Sequence, residues 1–486
     1  MEKKSVEMSI VDGMIFNYKE LISKKRVKVS TIKRKTSVDD FYSDRSRIIY
    51  CSSFRRLVQK AQVFSLEPNA SIRTRLTHSL EVSDLGRSLA NKIAYKLANE
   101  KHISPRNVPA IVAIVENACL IHDIGNPPFG HFGETAIRDW ADNRAQKALP
   151  KEMELKWDDY TLQLLMSDFR EFDGNPQGFR IITKLHTERD QYSLNLTYAT
   201  LLCALKYSRA AGEQKGSGIL KKAGYFQSEK ALVENMYAEL KLTLHHRYPL
   251  TYIMEAADDI AYCMSDIADG IEKQILSISD FITLFKEEWE NNYPGLAIPV
   301  KIPVSTNCTF NHDISIPWSR AAMSEAFHNY ITNHNDIYNG TAESLITEKG
   351  DMGKVLETIK KVSRKKLYTS FEAESIELTG YAVISGILKR YESILKLPHA
   401  EFEKIVFSRN VKGLDIERRL FNRIGRRYVE AYKFAVNDLD KSNTSDYMIK
   451  EWWLRIHLII DHISGMTDEF ALQTYQMLEG INLLRQ

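Results

Sequence analysis

CLIHDIGNPPFGHFGE, residues 119–134, is the most informative stretch of this chain. An apolar run at helical spacing, Ile111 to Ile121, leads into it, and Gly125, Pro127 and Pro128 halt that helix directly after His122 and Asp123. An imidazole and a carboxylate are thereby set side by side at a helix end. Matching donors stand elsewhere: His78 in TRLTHSLEV and Asp258 in EAADDIAYCMSD. Two imidazoles and two carboxylates suit a borderline-to-hard divalent cation, and no CxxC pair accompanies them to suggest structural zinc. Singly, each is more often a hydrogen-bonded core histidine or a solvated aspartate. Their joint occurrence carries the reading.

Residues four apart on a helix differ by about 40° in direction. Asp258, Tyr262 and Asp266 therefore share one stripe, beside the apolar face of Ile253, Ala257, Ile260, Met264, Ile267 and Ile271. Two carboxylates and a phenol in a row next to a core face are costly unless they line a cavity. Past the His-Asp doublet, the loop from Asn126 to Gly130 delivers His131, with Glu134 three residues on. In a helical turn these two are neighbours, and a histidine paired with a carboxylate beside a metal is a natural proton donor to a leaving oxygen. The alternative is that Glu134 merely caps a following helix, Thr135 to Trp140.

The rest of the chain is helical in pattern, for example at Leu80, Leu85, Leu89 and Ile93, so the fold is predicted to be mainly α. Pro294, Pro299, Pro303 and Pro317 exclude a continuous helix over 293–318 and predict an irregular or small β excursion there. The predicted organisation is a basic N-terminal arm (1–42), a catalytic core (43–290) and a C-terminal helical region (291–486). In the arm, Lys24, Lys25, Arg26, Lys28, Lys33, Arg34 and Lys35 read as a solvated stretch or as a surface for phosphates and single-stranded nucleic acid.

Composition sets outer limits. A net charge of +3 over 486 residues advertises no global nucleic-acid binder. Five scattered cysteines argue for a reducing compartment, and the first residues lack a signal-peptide core. The greasiest stretch, Val108 to Ile121, is interrupted by Glu116 and Asn117 and is too short to span a bilayer, so a cytoplasmic location is expected. No GxxxxGK[ST] occurs, which removes P-loop catalysis.

These motifs closely resemble the deoxyguanosine triphosphate triphosphohydrolases, within the HD-domain superfamily. The likeness runs from about Ser43 through Asp269 and returns more faintly at ELTGYAVISGILKRY and FNRIGRRYVEAY. The resemblance implies an HD-type helical core in which His78, His122, Asp123 and Asp258 hold one Mn²⁺ or Mg²⁺. It implies acid-base work for His131 and Glu134, and reading of the sugar 3′-hydroxyl by Gln62 with Asp266. Tyr262 matches the ring packed against the sugar. Asn175, Lys206, Tyr207 and Lys222 match positions around the triphosphate, with Lys221 the alternative to Lys222. Tyr368 and Glu377 match residues near the base, while Arg423, Arg426 and Arg427 are candidates for the base or a neighbouring subunit. The implied reaction is hydrolysis of dGTP to deoxyguanosine and inorganic triphosphate by water attack at the α-phosphorus. The implied assembly is a homo-oligomer, with a hexamer favoured, open to single-stranded DNA or nucleotide effectors.

Other readings are a broad-specificity dNTPase under such effectors, an HD phosphodiesterase or nucleotidase, and a non-enzymatic nucleic-acid binder. An HD phosphodiesterase of the GYP type would carry a GYP block after the HD pair, which is absent, and would leave the lysines without a purpose.

Overall fold

The computed structural model describes residues 10–11, 14–32, 34, 36, 38–303, 308–408 and 411–481, and helices carry nearly all of its regular structure. Among the described residues the only strands are two or three residues long, in two small pairs. The fold is mainly α, as the periodicity predicts. Among the described residues no helix is long and apolar enough to cross a membrane.

Four helices build the centre: α1 (Val38–Tyr50), α2 (Arg75–Asn99), α3 (Val108–Ile121) and, later, α6 (Thr251–Glu272). Thr74 and Thr77 close a reciprocal capping box that starts α2. Helix α3 is buried along most of its length and packs against the other three. Along α2 the core face is His78, Val82, Leu89 and Ile93, whereas Leu80 is 50% exposed. Leu80 and Leu89 are nine residues apart, which at about 100° per residue puts them on opposite faces.

Helix α4 (Gly130–Asn143) begins five residues earlier than the Thr135 start. Its N-cap, Phe129, adopts left-handed backbone (φ 59°, ψ 22°), so the chain turns into the helix sooner than the prolines suggest. Glu134 is thus inside the helix and does not cap it. The next element to touch this region is α5 (Gly174–Lys184), capped by Asp173. Backbone meets backbone here: a Cβ on Gly125 would lie 2.1 Å from both the Gly174 carbonyl oxygen and the Gly178 nitrogen. Gly125→Ala is expected to destabilise the protein by about 3 kcal/mol, the upper end of overpacking costs. An unchanged thermal unfolding midpoint would contradict this packing.

Further helices include α7 (Phe371–Leu395), α8 (Arg426–Asn437), α9 (Thr444–Ser464) and α10 (Asp468–Leu478). Of these, α7, the end of α9 and the start of α10 meet the loop 126–130. A Cβ on Gly380 of α7 would meet Phe129 Cβ at 2.3 Å, so the two elements touch through the missing side chain. The Asp468 carboxylate accepts from the Phe129 amide (3.0 Å) and, at its other oxygen, from the Ala61 amide (3.1 Å). Buried Lys60 donates to the carbonyls of Asn126 (2.5 Å) and Ser464 (2.8 Å). The largest hydrophobic cluster is continuous from Phe16 to Ala471, and a second gathers Ile260 to Leu367.

Among the described residues of 293–318 there is no strand: 293–303 and 308–309 are irregular, residues 304–307 lie outside the described residues, and from 310 the chain is helical, with a π-helical turn at Asn311–Ser315 leading into Ile316–Thr332. The segment is tied by Trp289 Nε1 to the Leu296 carbonyl (2.7 Å) and Trp318 Nε1 to the Lys301 carbonyl (3.3 Å). Pro317 sits in the first turn of the Ile316–Thr332 helix, where a missing N–H costs nothing. In the basic N-terminal stretch, Arg26 is buried and pairs with Asp44 (2.5 Å), and Arg34 pairs with Asp40 (2.8 Å). Lys33 and Lys35 lie outside the described residues.

Candidate active site and metal centre

Helices α2, α3 and α6 bring His78, His122 and Asp258 together, with one donor atom from each within 4.8 Å of the others. His122 follows the last turn of α3, and its Nδ1 donates to the Cys119 carbonyl at 2.7 Å. That bond leaves Nε2 as the lone-pair nitrogen, 3.4 Å from Asp258 Oδ1. Both nitrogens of His78 and Nε2 of His122 are buried without a hydrogen-bond partner among the described residues. Unsatisfied buried nitrogens beside a carboxylate fit the donor set of a divalent cation.

Asp123 joins the edge of this set, with Oδ1 3.7 Å from His122 Nε2. Its oxygens are steadied by Arg75 Nη1 (2.7 Å) and Asn126 Nδ2 (2.6 Å), and each keeps a lone pair for a metal. Burial alone would raise the Asp123 carboxyl, but Arg75 and then His122 outweigh it and bring it down to about 2. Burial likewise opposes Asp258 ionisation, and Lys206, 3.1 Å away, followed by His122, holds that carboxyl well below its usual range. Burial disfavours charge on His122, yet Asp123 and Asp258 lift the imidazole to about 9. Proton and cation therefore compete for Nε2.

His131 and Glu134 are one turn apart on α4. Glu134 Oε2 accepts from His131 Nδ1 at 2.9 Å, and Oε1 accepts from the Gly174 amide at 2.8 Å. The carboxylate is buried, whereas the imidazole is 82% exposed, its Nε2 edge free to reach a bound molecule. The hydrogen bond to Glu134 raises the His131 pKa against an opposing effect of desolvation. Burial and then Glu374 push the carboxyl of Glu377 on α7 up, and the His131 charge offsets only part of that rise.

Asp173 organises Asn175 and Lys222. It caps α5, accepts from Asn175 Nδ2 (2.6 Å) and pairs with Lys222 Nζ (2.6 Å). Lys221 instead lies over the Tyr207 ring, 5.8 Å from its centre, so Lys222 is the lysine turned toward this cluster. Buried Tyr207 feels Lys206 and then Lys222, while burial pushes its phenol up.

On α6, the predicted stripe extends into a phenol relay. Tyr368 donates to Asp266 Oδ2, so Tyr262 donates to Tyr368. Burial pushes Asp266 up to about 7, and its Oδ1 has no partner among the described residues. Gln62 Oε1 is equally unsatisfied; a bridge between Ala61 and Thr74 sets that residue beside the start of α2. Two buried acceptors awaiting a donor suit a hydroxyl-bearing ligand.

Sequence reasoning missed Arg75, Asp173, Lys60 and Asp468. Arg75 lies one helical turn before His78, and Asp173 opens the cap-like DGNP, so both had a local signal. Lys60 and Asp468 had none.

Comparison with known proteins is decisive at this point. Chains 36% identical from Enterobacter sp. (strain 638), 34% identical from Cronobacter sakazakii and 35% identical from Klebsiella pneumoniae each align over 91% of this chain and 94% of their own length. All three are deoxyguanosinetriphosphate triphosphohydrolases. The chain belongs to the deoxyguanosinetriphosphate triphosphohydrolase family. The HD domain model matches residues 75–192, which hold His78, His122 and Asp123, so this triphosphohydrolase-family member takes Asp258 from beyond the matched segment.

Proposed function

We propose that the protein is a metal-dependent dNTP triphosphohydrolase that prefers dGTP and releases deoxyguanosine and intact inorganic triphosphate. The observation that carries this reading is the triad of metal-compatible donors, His78, His122 and Asp258, set among the residues of a His131–Glu134 pair and two lysines. Family membership over nearly the whole chain supports the substrate class.

His78, His122, Asp123 and Asp258 would hold Mn²⁺ or Mg²⁺, which when bound supplies Lewis-acid polarisation of a phosphoryl oxygen. Water attacks the α-phosphorus in line and the bond to the 5′ oxygen breaks. His131, kept protonated by Glu134, gives its proton to the departing 5′ oxygen. Lys206 and Lys222 leave Asp258 and Asp173 to neutralise the triphosphate, with Asn175 and Tyr207 beside them. The 3′-hydroxyl donates to Gln62 Oε1 or Asp266 Oδ1, the two unsatisfied acceptors. Tyr368 and Glu377, from beyond residue 290, complete the base side.

Tyr262, held by Tyr368, packs against C2′ and leaves no space for a second hydroxyl. Tyr262→Ala should raise the ratio of GTP to dGTP turnover about tenfold or more, since one excluded group is worth on the order of 1–3 kcal/mol. Unchanged ribonucleotide rejection in that variant would remove Tyr262 from this role.

The reaction itself is tested by incubating dGTP in H₂¹⁸O with Mn²⁺ and then Mg²⁺, and separating the products. Attack at the α-phosphorus puts the label in triphosphate and none in deoxyguanosine. Release of dGMP, orthophosphate or pyrophosphate would overturn the assignment.

A further inference from the structure

Lys206 and Lys222 stand at the two ends of one loop, and a buried guanidinium ties that loop at its neck. Arg209 is 1% exposed. Its Nε donates to the Leu220 carbonyl (3.0 Å), and Nη1 donates to the carbonyls of Ala210 (3.1 Å) and Glu213 (2.9 Å). Nη2 donates to Glu171 Oε2 (2.5 Å), and the other oxygen of Glu171 accepts from the Gly212 amide (3.0 Å). Glu213 closes the same turn, accepting from the Ala210 amide (3.1 Å) and pairing with Lys230 (2.9 Å). The neck is thus cross-tied, whereas residues 214–218 at the tip are exposed.

A buried ion pair is weak evidence of stability, because well-packed apolar side chains often serve as well. An apolar side chain cannot hold carbonyls, however, and the planar fork of arginine holds several at once. The strands Arg209–Ala210 and Ala223–Tyr225 run in parallel, with Arg209 opposite Ala223. Backbone contact continues at Gly224, where a Cβ would lie 1.7 Å from the Tyr207 carbonyl oxygen. Arg209 therefore holds the chain on both sides of the lysine pair, by its side chain at Leu220 and by strand register at Ala223. Between those two points lie Lys221 and Lys222. A slip of one residue turns side chains to the opposite face, and would exchange which lysine meets Asp173. Glu171, which receives Arg209, stands two residues before Asp173, which receives Lys222. The intervening Phe172 carbonyl accepts from Arg138 Nη1 of α4 (2.8 Å), so this segment also braces the loop against the helix of His131 and Glu134.

We propose that Arg209, seated on Glu171, is a positioning residue that fixes the register of Lys222 and so sets its ammonium for the triphosphate. It acts through the lysine and does not itself touch substrate. This role rests on the assignment of Lys222 to the triphosphate, and the experiment separates failure of one from failure of the other.

The full chain is titrated calorimetrically with inorganic tripolyphosphate at one Mg²⁺ concentration, and dGTP turnover is followed on the same samples. The proteins are the native chain, Arg209→Lys, Lys222→Ala and the double variant, each with an unfolding curve. Arg209→Lys keeps the charge and loses the fork. It is expected to weaken tripolyphosphate binding and to raise KM for dGTP about tenfold or more, the worth of one charged hydrogen bond, with a far smaller change in kcat. In the Lys222→Ala background the same replacement should add less than about twofold, because the residue it positions is gone. Equal losses in both backgrounds, or a fall in kcat at unchanged KM, would make Arg209 a packing residue and overturn the proposal. So would tripolyphosphate binding that Lys222→Ala weakens and Arg209→Lys leaves unaltered. No binding to the native chain, or binding indifferent to Lys222→Ala, would remove the Lys222 assignment and the proposal with it. If Arg209→Lys does not fold, Glu171→Gln is read in its place. That variant keeps an acceptor for the Gly212 amide, loosens the guanidinium and should raise KM in the same way; an unchanged KM there overturns the proposal.

Discussion

His122→Ala is expected to abolish bound Mn²⁺ in elemental analysis and to lower dGTP turnover by about 10³-fold or more, because Lewis-acid stabilisation is worth several kcal/mol. The effect should be local. His122 ends α3 and its Nδ1 bond is to a carbonyl one turn back, so removing the ring deletes that one hydrogen bond and the imidazole beside Asp123 and Asp258. Asp258 would then keep only Lys206 and the more distant His78 beside it, an ion pair in place of a coordination site. The measurement is metal content and turnover on the same sample, with an unfolding curve to establish that the fold persists. Full activity with metal absent would sink the metal centre altogether.

The second large effect concerns proton transfer. His131→Ala should cost about 10²–10⁴ in kcat, the usual worth of a positioned general acid. The sign of the pH dependence follows from the Glu134 hydrogen bond, which raises the His131 pKa above its ordinary value. A donor acts while protonated, so activity persists at pH values below the raised pKa and declines as pH climbs through it. Glu134→Gln removes the cause of the shift, and the alkaline limb should move to lower pH, toward about 6.5, the ordinary histidine range. The same replacement keeps a group able to accept from the Gly174 amide, which spares the packing of α5. An alkaline limb that stays in place in Glu134→Gln would mean that some other group titrates there.

Much of the site was legible because the informative residues lie in short stretches with their own local logic. The end of α3 could be placed by prolines and glycine, and the Asp258–Tyr262–Asp266 stripe by helical periodicity. What escaped was whatever depended on distant partners or on unusual backbone. The early start of α4 rests on a left-handed phenylalanine, a conformation that no local preference announces. Leu80 fits a loose apolar count yet points outward, because a count ignores the angle accumulated over nine residues. Pro317 was grouped with helix breakers although a proline in a first turn is compatible with a helix. Lys60 is an ordinary lysine in sequence, and only its contact with Ser464, 404 residues away, reveals its part in holding the loop 126–130. The choice between Lys221 and Lys222 was equally closed to sequence, since it depends on which of two adjacent side chains meets Asp173.

The bond from Asp468 to the Phe129 amide spans 339 residues, and it bears on biosynthesis. A nascent polypeptide leaving the ribosome would carry every donor of the metal centre long before the helix that steadies the intervening turn has emerged. The turn between Asp123 and His131 would thus gain this tie only near the end of translation, after all four donors are already part of the chain.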